Sequence, residues 1–237
     1  MVEMAPPIEM LRPPLEYIFP SSLGVDLIYS FVIVLCSIMI YYATKEMYEL
    51  SSYKGLSYFR KAFLFFAIAY FFRYSIRFIL FIFEIKDIID ISPKSIGWLS
   101  MFIFLYSSSM AIFFLLYSVM WKKWNHNKQK IYVFNILAIL IAFIGAVSRS
   151  RVINLIIYIL LLIFISFVLF IAYKDSKTKQ KGKSLYFIYF LLFLFWILYI
   201  LEMMIPRFLE MFRIFIYIPS IFLFMIILYK VLKKSGN

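Results

Sequence analysis

The 237-residue chain has one cysteine, one histidine and six glycines. Each scarcity excludes something. Cys36 stands alone, so no disulfide can form within the chain. His126 is the only imidazole and lies in a Lys-rich stretch, which excludes bis-His haem ligation and His-cluster metal sites within this chain. Because the only histidine lies in a loop, no nucleophile with a His base is expected in the apolar body. HExxH, GxSxG and GxxxxGK[ST] are also missing. No pair of carboxylates lies inside an apolar block, which excludes an aspartyl intramembrane protease. The expectation is a non-enzyme, with no catalytic residues, no cofactor and no metal.

What the chain has instead is apolar length. Hydrophobic residues make up 65%, aromatics 22%, and the mean hydropathy is +0.93. Soluble domains are about 45–50% apolar. The apolar residues fall into seven blocks, at about 25–44, 61–83, 98–120, 131–148, 152–173, 185–204 and 211–232. About 20 such residues cross a hydrocarbon core of roughly 30 Å. The expected fold is an all-α membrane protein, a bundle of seven transmembrane helices. The blocks divide the chain into a Pro-rich extracytoplasmic tail over 1–24, a transmembrane domain over 25–232 and a basic cytoplasmic tail over 233–237. The first segment lacks the basic and apolar regions of a cleavable signal.

Charge sets the orientation. With the N-terminus outside, the inner loops and C-tail carry 16 Lys and Arg and the outer side carries 7. The positive-inside rule then places the N-terminus outside and the C-terminus in the cytoplasm. The net charge of +13 gathers on the inner face, where it meets anionic lipid headgroups. With no soluble domain to carry that charge, nucleic acid is not an expected partner. The expected location is the cell membrane.

Two inner loops resemble each other. "ATKEMYELSSYKGLSYF" (43–59) and "AYKDSKTKQKGKSLYF" (172–187) share Ala-x-Lys-acid, Lys-Gly-x-Ser and an aromatic pair, with a two-residue gap. This permits a 3+1+3 parallel repeat, with helix 4 as the connector. Ala138, Ala142 and Ala146, with Gly145, let that helix approach a neighbour closely.

The stretch "AIAYFFRYSIRFILFIF" (67–83) is the one unusual apolar block. Tyr70, Arg73, Tyr74 and Arg77 share one helical face. The block boundaries put Arg73 near the bilayer midplane, where an arginine costs at least about 2.5 kcal/mol. Ser107, Ser108 and Ser109 are expected at its level. No carboxylate is expected at that depth. Glu202, Asp26 and Glu84, at the outer ends of helices 6, 1 and 2, are expected within reach of Arg77, and Glu202 can face it. The expected ligand-binding set is therefore Arg73, Arg77, Tyr70, Tyr74, Ser107, Ser108, Ser109 and Glu202. Arginine's planar fork suits carboxylate and phosphate. The favoured function is a receptor- or sensor-like binding protein for an anionic or lipidic ligand, signalling through a partner protein. The alternatives are a small secondary transporter using the same site, or a structural subunit of a membrane complex. Pro219 is expected to kink helix 7 mid-way.

The layout resembles microbial rhodopsins and G-protein-coupled receptors in topology. Helix 7, however, has no lysine before Lys230, so retinal linkage is not implied. The 3+1+3 pattern resembles SWEET sugar transporters without their Pro-Gln motif. The segment "YKGLSYFRKAFLFFAIAYFFR" (53–73) resembles a hairpin of uncharacterised archaeal seven-helix proteins, a likeness that implies no activity.

Overall fold

A computed structural model of the chain describes residues 23–75, 93–121, 123–124, 129–148, 150–178, 182–205 and 212–235. Among these residues there is no strand. Seven long helices run α1 Leu23–Ser51, α2 Lys54–Tyr70, α3 Pro93–Met120, α4 Gln129–Ser148, α5 Arg151–Thr178, α6 Gly182–Met204 and α7 Ile214–Ser235. A π turn, Phe71–Ser75, extends α2. All seven are long and apolar enough to cross a bilayer, as in a multi-pass membrane protein. Hydrocarbon offers backbone groups no partner, so a spanning segment must satisfy them internally.

Several helices begin before or end after their apolar blocks. α1 continues seven residues beyond residue 44, and α2 begins at Lys54, seven before residue 61. The joint between them is only Ser52 and Tyr53. Ser52 takes a left-handed φ of 49° and donates its N–H to the Tyr48 carbonyl at 2.8 Å, ending α1 as a C-terminal cap does.

Six helices close a ring. α1 packs on α2, α2 on α3, α3 on α5, α5 on α6, α6 on α7, and α7 returns to α1. α4 lies outside the ring, chiefly against α3 and less against α5. The ring's interior is aromatic. Phe224 on α7 meets Phe63 and Phe66 on α2 and Phe195 on α6, with centroids 4.6–6.4 Å apart.

The face that α4 presents inward consists of Ala138, Ile141, Ala142, Gly145 and Ala146. A Cβ at Gly145 would collide with Leu105 of α3 and lie 3.0 Å from Asn154 and 3.1 Å from Ile157 of α5. Gly145→Leu is therefore expected to destabilise the protein by about 1–3 kcal/mol through overpacking. Gly97→Leu serves as the control, because a Cβ there meets nothing within 4 Å. Thermal unfolding in detergent compares the two, and equal melting temperatures would show that α4 does not dock through Gly145.

Pro219 lies in the second turn of α7 and not at its middle, because the helix starts at Ile214. Nearby, Ser220 Oγ donates to the Ile216 carbonyl at 2.7 Å.

Candidate functional site

One polar cluster lies inside the bundle, at the end where α1, α3, α5 and α7 begin and α2 and α6 finish. Its centre is an ion pair: Arg73 Nη2 donates to Glu202 Oε1 at 2.8 Å. The Arg73 side chain is 15% exposed and that of Glu202 4%. This corrects two expectations. Arg73 does have a carboxylate at its level, and Glu202 serves Arg73. The reason is the early start of α2. It brings Arg73 level with Glu202, two residues from the end of α6, away from the midplane that the apolar block implied. Arg77 and Glu84 lie outside the described residues.

Local structure aims Arg73 inward. The π turn widens the helix at Phe71–Ser75 and disturbs the regular ladder of backbone bonds. Two serines accept that irregularity. Ser30 Oγ of α1 donates to the Tyr70 carbonyl at 2.9 Å, and Ser100 Oγ of α3 to the Phe72 carbonyl at 2.6 Å.

Aromatic rings enclose the guanidinium. Its carbon lies 4.6 Å from the Tyr199 ring centroid and 5.0 Å from those of Tyr74 and Phe104. A cation over a ring face is attracted by the ring quadrupole, more strongly when desolvated. Met203 Sδ stands 3.9 Å from Arg73 Nη2.

Glu202 Oε1 is a shared acceptor. Besides Arg73, Tyr74 Oη donates to it at 3.1 Å and Tyr217 Oη lies at 3.4 Å. Tyr217 Oη also donates to Asp26 Oδ1 at 2.7 Å. The Tyr217 ring stacks on Tyr29, with centroids 4.1 Å apart and planes 7° from parallel. The cluster thus draws on α1, α2, α3, α6 and α7.

The pair is only half satisfied. Arg73 Nη1 and Glu202 Oε2 are buried without a hydrogen-bond partner among the described residues, and the Tyr70 and Tyr199 hydroxyls have only those of Tyr29 and Tyr158 beside them, without a well-formed hydrogen bond. Buried polar groups are nearly always partnered, by protein or ordered water. Here one donor, one acceptor and two hydroxyls remain around a single guanidinium.

Of the expected site residues, Arg73, Tyr70, Tyr74 and Glu202 come together. Ser107, Ser108 and Ser109 are buried on α3. They do not ligate Arg73: Phe104, one turn earlier, is the α3 residue beneath the guanidinium. Tyr29, Ser100, Tyr199 and Tyr217 were not anticipated, and Asp26, expected within reach of Arg77, accepts from Tyr217. Tyr199-x-x-Glu202 matches the Tyr70-x-x-Arg73 spacing, a signal available in the sequence. Tyr217 carried none. Among the described residues, no three His, Cys, Asp or Glu gather as a metal site would require.

An uncharacterized protein of Archaeoglobus fulgidus is 33% identical over 159 residues, which cover 65% of this chain. The match spans 66% of that archaeal protein, just under two thirds of its length. No family model matches the chain, and no solved structure does. The chain is therefore similar to a distant archaeal protein and shares with the expected class its seven long apolar helices.

Proposed function

We propose that the chain is a receptor- or sensor-like membrane binding protein whose internal site, around Arg73 and Glu202, accepts an anionic or lipidic ligand. The half-satisfied ion pair carries this reading. Arg73 Nη1 and the Tyr70 and Tyr199 hydroxyls can donate to a carboxylate or phosphate, while the surrounding rings suit an apolar tail. The role is binding and not catalysis. A signal would pass to a partner protein, since the ends of the bundle carry no separate domain among the described residues. In this reading the bundle sits in the cell membrane as a 3+1+3 repeat. Its N-terminus is outside and its lysines lie at the cytoplasmic face, near anionic headgroups.

A structural-subunit role fits less well. It calls for an exposed small-residue face, whereas that of α4 is buried. It also calls for a fully partnered arginine, and Nη1 has no partner among the described residues. Transport has one specific observation behind it. Ser30, Ser37 and Thr44 are buried seven residues apart along α1, a polar line leading from the cluster toward the Lys-rich end.

Melting temperatures measured with phosphate, oleate and anionic phospholipid test the binding reading. At least one of these should stabilise the wild type and leave Arg73→Leu/Glu202→Leu unmoved. If none shifts a folded wild type, no anion occupies the site.

A further inference from the structure

The ring has a hidden regularity. Replacing α1, α2 and α3 by α5, α6 and α7 maps each contact of the six-helix ring onto another. Thus α1 on α2 becomes α5 on α6, α2 on α3 becomes α6 on α7, and α3 on α5 becomes α7 on α1. The side chains repeat too. Tyr29 of α1 stands edge-on to Tyr70 of α2, 5.9 Å away at 81°. Tyr158 of α5 stands edge-on to Tyr199 of α6, 5.0 Å away at 87°. Both pairs are 41 residues apart in the chain. Three residues after each second tyrosine come Arg73 and Glu202, which are 129 residues apart. Tyr29 and Tyr158 share that separation, as do Ala43 and Ala172, both buried. The Lys-Gly-x-Ser elements depart from it by two residues, at the α1–α2 and α5–α6 joints.

We infer that α1–α3 and α5–α7 are two equivalent units, and that the Arg73–Glu202 pair is a clasp joining them at corresponding positions, closing one end of the bundle and releasing to let the units part there. The reasons are physical. A buried ion pair adds little stability over an apolar pair of similar volume, and fixing one of two arrangements is its best-attested use. Relative motion of repeats around a shared site is a recurring mechanism in membrane bundles. The clasp sits at one end; beyond it, among the described residues, the interior is mainly aromatic packing with some buried hydroxyls, such as Ser118 on Tyr189, and no second buried ion pair. The π turn and the two serine–carbonyl bonds hold Arg73 from the α1–α3 side. The Tyr217 hydroxyl of α7 donates to Asp26 of α1 at 2.7 Å, a second polar contact between the units at the same end. The inference needs no ligand, so it stands or falls apart from the binding reading.

Distances between spin labels on the full chain test it, in a Cys36→Ala background. One label pair, at Leu99 of α3 and Phe215 of α7, reports the Arg73 end. Another, at Tyr42 of α1 and Tyr173 of α5, reports the opposite end. All four residues are exposed. In Glu202→Gln and Arg73→Gln, the Leu99–Phe215 distance should lengthen by several ångströms, while the Tyr42–Tyr173 distance does not lengthen. The reciprocal variant Arg73→Glu/Glu202→Arg should return the Leu99–Phe215 distance toward its wild-type value. Unchanged distances in both single variants would make the pair a static strut and overturn the clasp. Equal loosening at both ends would do the same, because it marks general destabilisation. Glu202→Gln keeps size and hydrogen-bonding capacity, so it carries the comparison if Arg73→Gln fails to fold.

Discussion

Glu202→Ala is expected to cost about 3–5 kcal/mol, the largest single-site loss in the molecule, because it leaves the Arg73 guanidinium buried without its anion. The carboxylate oxygen Oε1 collects Arg73 at 2.8 Å and the Tyr74 hydroxyl at 3.1 Å, so its removal orphans both donors. Arg73→Leu should cost a similar amount by stranding Glu202. The double variant Arg73→Leu/Glu202→Leu should regain most of the loss, since an apolar pair of similar volume commonly matches a buried ion pair. A double-mutant cycle by reversible unfolding in mixed micelles reads this as strong non-additivity. Simple addition of the two single losses would mean that the charges act independently, which the geometry does not allow.

Trp196→Ala follows with an expected loss of about 3–5 kcal/mol. Trp196 is 2% exposed and among the largest fully buried side chains. Its indole packs against Tyr199, with centroids 5.2 Å apart, and its Nε1–H donates to the Tyr158 carbonyl at 3.2 Å, tying α6 to α5. Deleting the ring removes its contacts and opens a cavity that the rigid aromatic neighbours cannot fill. It also loosens Tyr199, the ring nearest the Arg73 guanidinium. Trp196→Phe should recover part of the stability, because it keeps one buried aromatic ring while losing the second ring and the N–H. If alanine costs under about 1 kcal/mol, the neighbours have collapsed into the space. The mixed-micelle unfolding used for the Glu202 variants measures this one.

Both predictions concern residues whose surroundings were only partly legible. Trp196 reads as a core residue from its position within an apolar block, and it is one. Arg73 reads as a functional cation, and it is the centre of the one buried charge cluster among the described residues. Its partner was misjudged because hydropathy marks where a helix is oily, not where the helix begins. α2 starts at Lys54 and α1 ends at Ser51, so a short joint links them. That slides Arg73 level with Glu202. Ser107, Ser108 and Ser109 were placed by the same faulty depth and miss the guanidinium. The α4 interface was legible, since small residues at four-residue spacing have one common use in packed helices.

Composition and block length by themselves determined that the described residues form seven long apolar helices, because hydrocarbon permits a spanning backbone few other ways to satisfy its polar groups. They also marked Arg73 as anomalous, since charge in such a setting is costly. Tertiary structure alone decided that Arg73 meets Glu202, that Tyr29, Tyr199, Tyr217 and Phe104 surround them, and that six helices close a ring with α4 outside. Those outcomes depend on the depth and rotation of each helix relative to its neighbours. Depth and rotation are set by side-chain packing between segments as far as 129 residues apart, which no local pattern records.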